Sequence, residues 1–275
     1  MMKVKRESTF VLAQMASDGY PDHNLEEARK AMAEAQKYEP DMVIFPELFM
    51  SEFPLGTPVE VCHSTAQRLD GPFVTEMRAL AKQYGTWVVF GMNEIVDDPD
   101  DDRNYNTSVV VNSEGEIVTH YHKTHLYDAF GSKESDKIKP GDQLFEPIDT
   151  PFGRIGLFVC YEVRFPEVAR DQRAKGADIM PTAWVCGKMK SLHFRSLITA
   201  RAIENTVYML ACDQANDKSI GESVVVDPMG VPVASAGGEK QLLVARVSLD
   251  RVDAVRKKLP AYKDRRPELY VNYGK

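Results

Sequence analysis

A mixed α/β fold is the class the 275-residue sequence predicts, and three observations carry it. Short runs rich in β-branched residues recur along the whole chain. Apolar residues at helical spacing fall between several of these runs. Turn signals of the hairpin kind join others, so antiparallel pairs are expected beside parallel ones. No linker or short-period repeat interrupts the pattern, and residues 1–275 read as one domain.

Taken in order, the first strand is expected over 8–14. A helix follows, with Leu25, Ala28, Met32 and Ala35 on one face and Asn24 as its N-cap. The apolar run 41–45 reads as the second strand. The next helix carries Pro72 at its first position, the stripe Phe73, Met77, Leu80, Ala81 and Tyr84, and a terminating Gly85. Strands are expected at 86–92, 106–112 and 116–122, the last two joined by a turn at Ser113–Gly115. The acidic run DDPDDD at 97–102 is expected as an exposed loop tip. Further strands fit 154–160, 177–181, 207–212, 222–227 and 241–248, with a hairpin turn at Asp227–Gly230, and helices fit 165–175, 190–204 and 250–258.

A hydrophobic content of 43% suffices for a sizeable core, and the net charge of -7 leaves no basic face for nucleic acid. A small molecule or a protein is the expected partner. The start of the chain has basic residues but no apolar signal core, and no long uncharged run could cross a membrane, so a cytoplasmic enzyme is expected. Cys62, Cys160, Cys186 and Cys212 lack paired spacing and read as reduced thiols.

Three residues stand where apolar runs stop. Cys160 closes Ile155–Val159 ahead of a helical stretch, a strand-to-helix turn where ligands gather and where helix N-termini lower a thiol pKa from about 8.5. A nucleophilic thiol needs a base and a stabilised oxyanion. Glu47, just past Met42–Phe45 among Phe45, Leu48 and Phe49, is a poorly solvated acid suited to proton transfer, and Lys123 ends the strand through His122 as a cation suited to an oxyanion. The alternatives are a buried structural cysteine, a surface acid and a solvated lysine. His120-x-His122 with His125 also has metal-ligand spacing, but no H-E-x-x-H motif accompanies it, and no metal or organic cofactor is expected.

Several ordered motifs together resemble the carbon–nitrogen hydrolase (nitrilase) superfamily: FPELF around Glu47, YNT at 105–107, HKTHLYD around Lys123, CYEVRFPE around Cys160, ARAIEN at 200–205 and DPMG at 227–230. The resemblance implies an α-β-β-α sandwich of two internally similar halves over one domain. It also implies Glu47 as general base, Lys123 as oxyanion cation, Cys160 as nucleophile, the Tyr161 backbone N–H as second oxyanion donor, and Glu134 orienting Lys123 or the substrate. A homodimer or larger even-numbered assembly is implied, with 165–175 and the C-terminal tail at the contact. The branch it is most similar to is that of short ω-amidases, which implies hydrolysis of a small amide. N-carbamoyl amino acid hydrolysis, nitrile hydrolysis and a catalytically idle scaffold are the other readings. Arg164 and Arg195 are candidates to hold a substrate carboxylate, and Trp184 to wall the acyl pocket. Where many relatives have Gly-His-Ser, this chain has Gly221-Glu222-Ser223.

Overall fold

Alternation along the first strand sets the layering. In β1 (Glu7–Gln14), Phe10 and Leu12 enter one buried cluster while Val11 and Ala13 enter another. Period-two geometry sends successive side chains to opposite faces, and a strand buried on both faces lies inside a stack of layers. The computed structural model describes residues 4–54 and 56–270, and within them the chain builds a six-stranded and a seven-stranded sheet.

The first half contains β1, α1 (Pro21–Ala35), β2 (Met42–Ile44), α2 (Val59–Ser64), α3 (Pro72–Tyr84), β3 (Trp87–Ile95), β4 (Asn104–Val111) and β5 (Ile117–His122). The second contains β6 (Ile148–Thr150), β7 (Gly153–Ile155), β8 (Phe158–Val159), α4 (Pro166–Ala174), β9 (Ile179–Trp184), α5 (Ser191–Asn205), β10 (Tyr208–Asp213), β11 (Val224–Val226) and β12 (Pro232–Ser235). The chain then returns as β13 (Gln241–Ser248) and α6 (Leu249–Lys258). In the first sheet β1, β2 and β3 are parallel and β4 and β5 follow antiparallel. The second repeats this, with β7, β9 and β10 parallel and β11 and β12 antiparallel. Each sheet gains one antiparallel strand beside its first, β13 on β1 and β6 on β7, so the expected likeness of the halves is visible in the pairing.

Phe10, Leu12, Ile44 and Val89 from one sheet meet Ile155, Val159, Ile179 and Leu210 from the other in the central layer. Helices α1 and α3 cover the outside of the first sheet, and α4 and α5 the outside of the second. This is the expected α-β-β-α order. Burying a side chain such as Met32 or Phe73 contributes about 2 kcal/mol. Pro72 starts α3 and Gly85, at φ 61°, ends it.

Two expectations need correction. The first helix starts a turn early, at Pro21 after Tyr20; Asn24 lies inside it, its amide donating to the carbonyls of Asp18 and Met50. Asn24 thus anchors the preceding loop. The strand expected at 154–160 is two short strands, because the side chain of Gln172 on α4 takes the N–H and the C=O of Leu157, both at 2.7 Å. A sheet partner cannot use those groups as well. Helix α2 is too short to show periodicity and β6 has three residues, so neither announces itself in the sequence; β12, which begins with an edge proline, is announced only by the hairpin turn before it.

Candidate active site

Glu47 follows β2, Lys123 follows β5, Cys160 follows β8 and Val185 follows β9, so the carboxyl ends of strands from both sheets converge. The turn carrying Glu47 rests on Gly91 of β3. A Cβ on Gly91 would come within 2.4 Å of the Leu48 nitrogen and 2.9 Å of the Glu47 carbonyl carbon, so only glycine lets the turn approach.

Lys123 is 2% exposed and Glu47 3% exposed, and at that burial each charge requires a partner. Lys123 Nζ donates to Glu47 Oε1 at 2.9 Å and to both oxygens of Glu134 at 2.9 Å. Asn106 Nδ2 bridges the carboxylates, donating 2.8 Å to Glu47 Oε1 and 3.2 Å to Glu134 Oε1. Backbone N–H groups complete the set: Val185 donates to Glu47 Oε2 at 2.8 Å and Tyr127 to Glu134 Oε2 at 2.6 Å. Burial alone would push the Lys123 ammonium down; the Glu134 and Glu47 carboxylates outweigh it and hold the pKa well above its ordinary value.

Cys160 has φ 45°, a left-handed conformation that is costly for any residue with a Cβ and that recurs where function fixes a side chain. Its Sγ lies 3.8 Å from the Val185 carbonyl oxygen. The expected lowering of its pKa is not found. Burial pushes the thiol well above its ordinary value, the Glu47 carboxylate adds to this, and Lys123 opposes it. A helix end does not offset that desolvation, which favours the thiol over the thiolate.

Glu162, fully buried two residues on, escaped the sequence reading. Its Oε2 accepts from Val159 N–H at 2.8 Å, and its Oε1 accepts from Tyr121 Oη at 2.7 Å, Thr124 N–H at 2.9 Å and Thr124 Oγ1 at 2.6 Å. One side chain thereby ties the Cys160 turn to the segment after Lys123. Burial would raise this carboxyl, but the donors, His125, Thr124 and Tyr121 foremost, hold it below its ordinary value. Asn106 was missed as a site residue too, although it lies in the YNT motif.

Glu47, Lys123, Glu134, Cys160 and Tyr161 line one cavity of about 390 Å³. Trp184 lines it too, packed edge-on against Phe194 at 4.6 Å between ring centroids. Arg164 reaches it, with Nη2 3.1 Å from His193 Nδ1. Arg195 is not brought to the cavity: its Nε donates to Glu222 Oε2 at 3.0 Å, an oxygen that also accepts from Ser191 Oγ at 2.8 Å. The departure at Glu222 thus claims the arginine that the sequence assigned to substrate. Cys62 and Cys186 also line the cavity, whereas Cys212 lies in the central core. The histidines separate, since His125 stacks on Phe165 at 4.1 Å while His120 and His122 stay on β5.

The model of the carbon-nitrogen hydrolase family matches residues 12–257. The chain belongs to that family. As a carbon–nitrogen hydrolase it is similar to the deaminated glutathione amidase of Escherichia coli O157:H7, 33% identical over 247 residues that cover 89% of this chain and 92% of the relative. It is similar also to omega-amidase NIT3 of Saccharomyces cerevisiae, 30% identical over 286 residues covering 98% and 97%. The crystal structure of Saccharomyces cerevisiae Nit3, a member of branch 10 of the nitrilase superfamily, superimposes with a TM-score of 0.84 at 28% identity, covering 96% of this chain and 98% of that one. The fold is therefore that of the nitrilase superfamily, and the chain is a hydrolase of carbon–nitrogen bonds.

Proposed function

We propose that this carbon–nitrogen hydrolase cleaves a short ω-amide bearing a distal carboxylate, releasing ammonia through a cysteine thioester. The observation carrying the reading is the convergence of Cys160 with the buried Glu47 and Lys123 on one cavity, with Lys123 shared between two carboxylates. Glu47 takes the Cys160 proton as sulfur bonds to the amide carbon; the carbonyl electron pair moves to oxygen, beside the Lys123 ammonium and the Tyr161 N–H. Glu47 returns the proton to nitrogen, and the C–N bond breaks to ammonia and thioester. Water then gives its proton to Glu47 and its oxygen to carbon, and the thiol re-forms. A placed oxyanion donor contributes about 3 kcal/mol to such a barrier.

The substrate class follows from charge. Among the described cavity residues, Lys133 pairs with Asp136, and Lys123 with Glu47 and Glu134; Arg164, Lys190 and Lys137 have no carboxylate partner, against one unpartnered acid, Glu52. The surplus favours an anionic substrate, and the amidase names of the relatives favour an amide. The chain acts as a single domain, as a homodimer, in the cytoplasm; its four free cysteines suit a reducing compartment, and among the described residues no helix is long and apolar enough to cross a membrane. The test is an ammonia-release screen over ω-amides, N-carbamoyl amino acids and nitriles, with Cys160→Ala as control. Carboxylate-bearing ω-amides should exceed neutral amides of matched length in kcat/KM by about tenfold or more, and Arg164→Ala should remove the difference by raising KM. Equal rates, unchanged by Arg164→Ala, would refute the substrate class; activity surviving Cys160→Ala would refute the mechanism.

A further inference from the structure

Outward from the cavity, on the helix-facing side of the first sheet, three potential ligands stand together. Glu94 of β3 and His120 and His122 of β5 each bring one ligand atom within 4.8 Å of the others. They are separated by β4, whose Asn106 faces the catalytic carboxylates while its neighbours Tyr105 and Thr107 face this group. Two of the three ligands are already oriented. Thr107 Oγ1 donates to Glu94 Oε2 at 2.8 Å, His122 Nε2 is 2.9 Å from the same oxygen, and the His122 ring stacks flat on Tyr105 at 3.8 Å between centroids. Supporting contacts of this kind fix ligand orientation in metal sites. The adjoining cavity is lined by Asp70, Glu94, Asp97 and Asp98 against two cations, Arg68 and Lys139, so its field attracts a cation.

We propose that Glu94, His120 and His122 form a binding site for a divalent first-row transition ion of the zinc class, separate from the catalytic cavity. Two imidazole nitrogens and one carboxylate oxygen suit zinc, cobalt or nickel, provide too few oxygens for calcium or magnesium, and leave a position for water. Of the histidine set singled out by spacing, His125 drops out because it turns to Glu162, and Glu94 replaces it from another strand. The ion joins β3 to β5 across β4. It therefore stiffens the strands that carry Asn106 and lead into Lys123, and takes no part in the chemistry.

The test is titration of the chelator-dialysed full chain with cobalt(II), followed by zinc displacement and thermal unfolding. About one equivalent should bind with visible ligand-field bands, and excess zinc should raise Tm by about 3 °C or more. His120→Ala, at an exposed position, should weaken binding about tenfold or more while leaving amide hydrolysis unchanged, and Glu94→Gln, which keeps the side-chain shape, should do the same to binding. Failure to bind a stoichiometric ion would overturn the site. So would binding that both variants leave intact, or a cobalt spectrum dominated by thiolate charge transfer, which would put the ion at the cysteines of the catalytic cavity.

Discussion

At the scale of single residues, the raised pKa of the Cys160 thiol makes the order of proton transfer testable. Burial is the main reason its pKa is high, and the two neighbouring charges act in opposite directions, Glu47 raising it and Lys123 lowering it. Alkylation follows the thiolate, so in the wild type its pH inflection should lie above the ordinary thiol value of about 8.5. Glu47→Gln removes a negative charge and should move the inflection down; Lys123→Met removes a positive one and should move it up. Iodoacetamide trapping followed by mass spectrometry measures both, and shifts of the same sign would contradict the assigned electrostatics. Asn106 acts through others, since its amide holds Glu47 and Glu134 on either side of Lys123. Asn106→Ala should lower kcat by about 100-fold with KM little changed, the signature of misplaced groups rather than lost binding. A rise in KM alone would assign it to substrate binding.

Among the elements, Glu162 fastens the turn after β8 to the segment after β5. Glu162→Ala strands several buried donors and should cost about 3 kcal/mol or more in urea denaturation. The milder Glu162→Gln gives a pH test. The folded pKa of Glu162 lies below its ordinary value, so its contribution to stability is fully present above about pH 4.3 and is lost as pH falls through the lower folded value. The stability gap between wild type and Glu162→Gln should therefore shrink on acidification; a gap independent of pH would show that the charge contributes nothing. Gly91→Ala should cost activity as well as stability, since it displaces the Glu47 turn directly. What the sequence discloses at this scale is where chains of apolar residues stop, and Glu47, Lys123 and Cys160 are each such an end. What it conceals is pairing over distance. Glu47 lies 59 residues from Asn106 and Glu162 lies 38 from Thr124, so neither helper residue carries a local signal. In the same way, nothing near Arg195 betrays that Glu222 will claim it, and nothing near Leu157 betrays that Gln172 will break its strand.

For the whole molecule, the site draws on both sheets: Glu47 and Lys123 come from the first, Cys160 and the Val185 N–H from the second, so neither half holds a complete site. Their relative placement depends on the central layer and on whatever braces the sandwich from outside. The proposed dimer belongs to this scale. Beyond α6 the chain runs back over α4, where the Tyr262 ring lies 4.6 Å from the Arg173 guanidinium and 5.9 Å from that of Arg170. Burial lowers the pKa of both arginines, yet Leu259, Leu269 and Tyr270 of the same segment remain exposed. Helix α4 and this tail thus bring Arg170, Arg173, Arg265, Tyr262 and Tyr270 together while the tail leaves apolar side chains exposed, and a two-fold axis through such a surface would cover each copy with the other. Light scattering of the wild type should give about twice the 30.9 kDa chain mass. Tyr262→Ala combined with Leu269→Glu should move the mass to that of one chain while the far-ultraviolet circular dichroism is retained. A wild-type protein that is monomeric and fully active at high dilution would exclude the dimer, and a dimer that survives the double substitution would place its interface on another face.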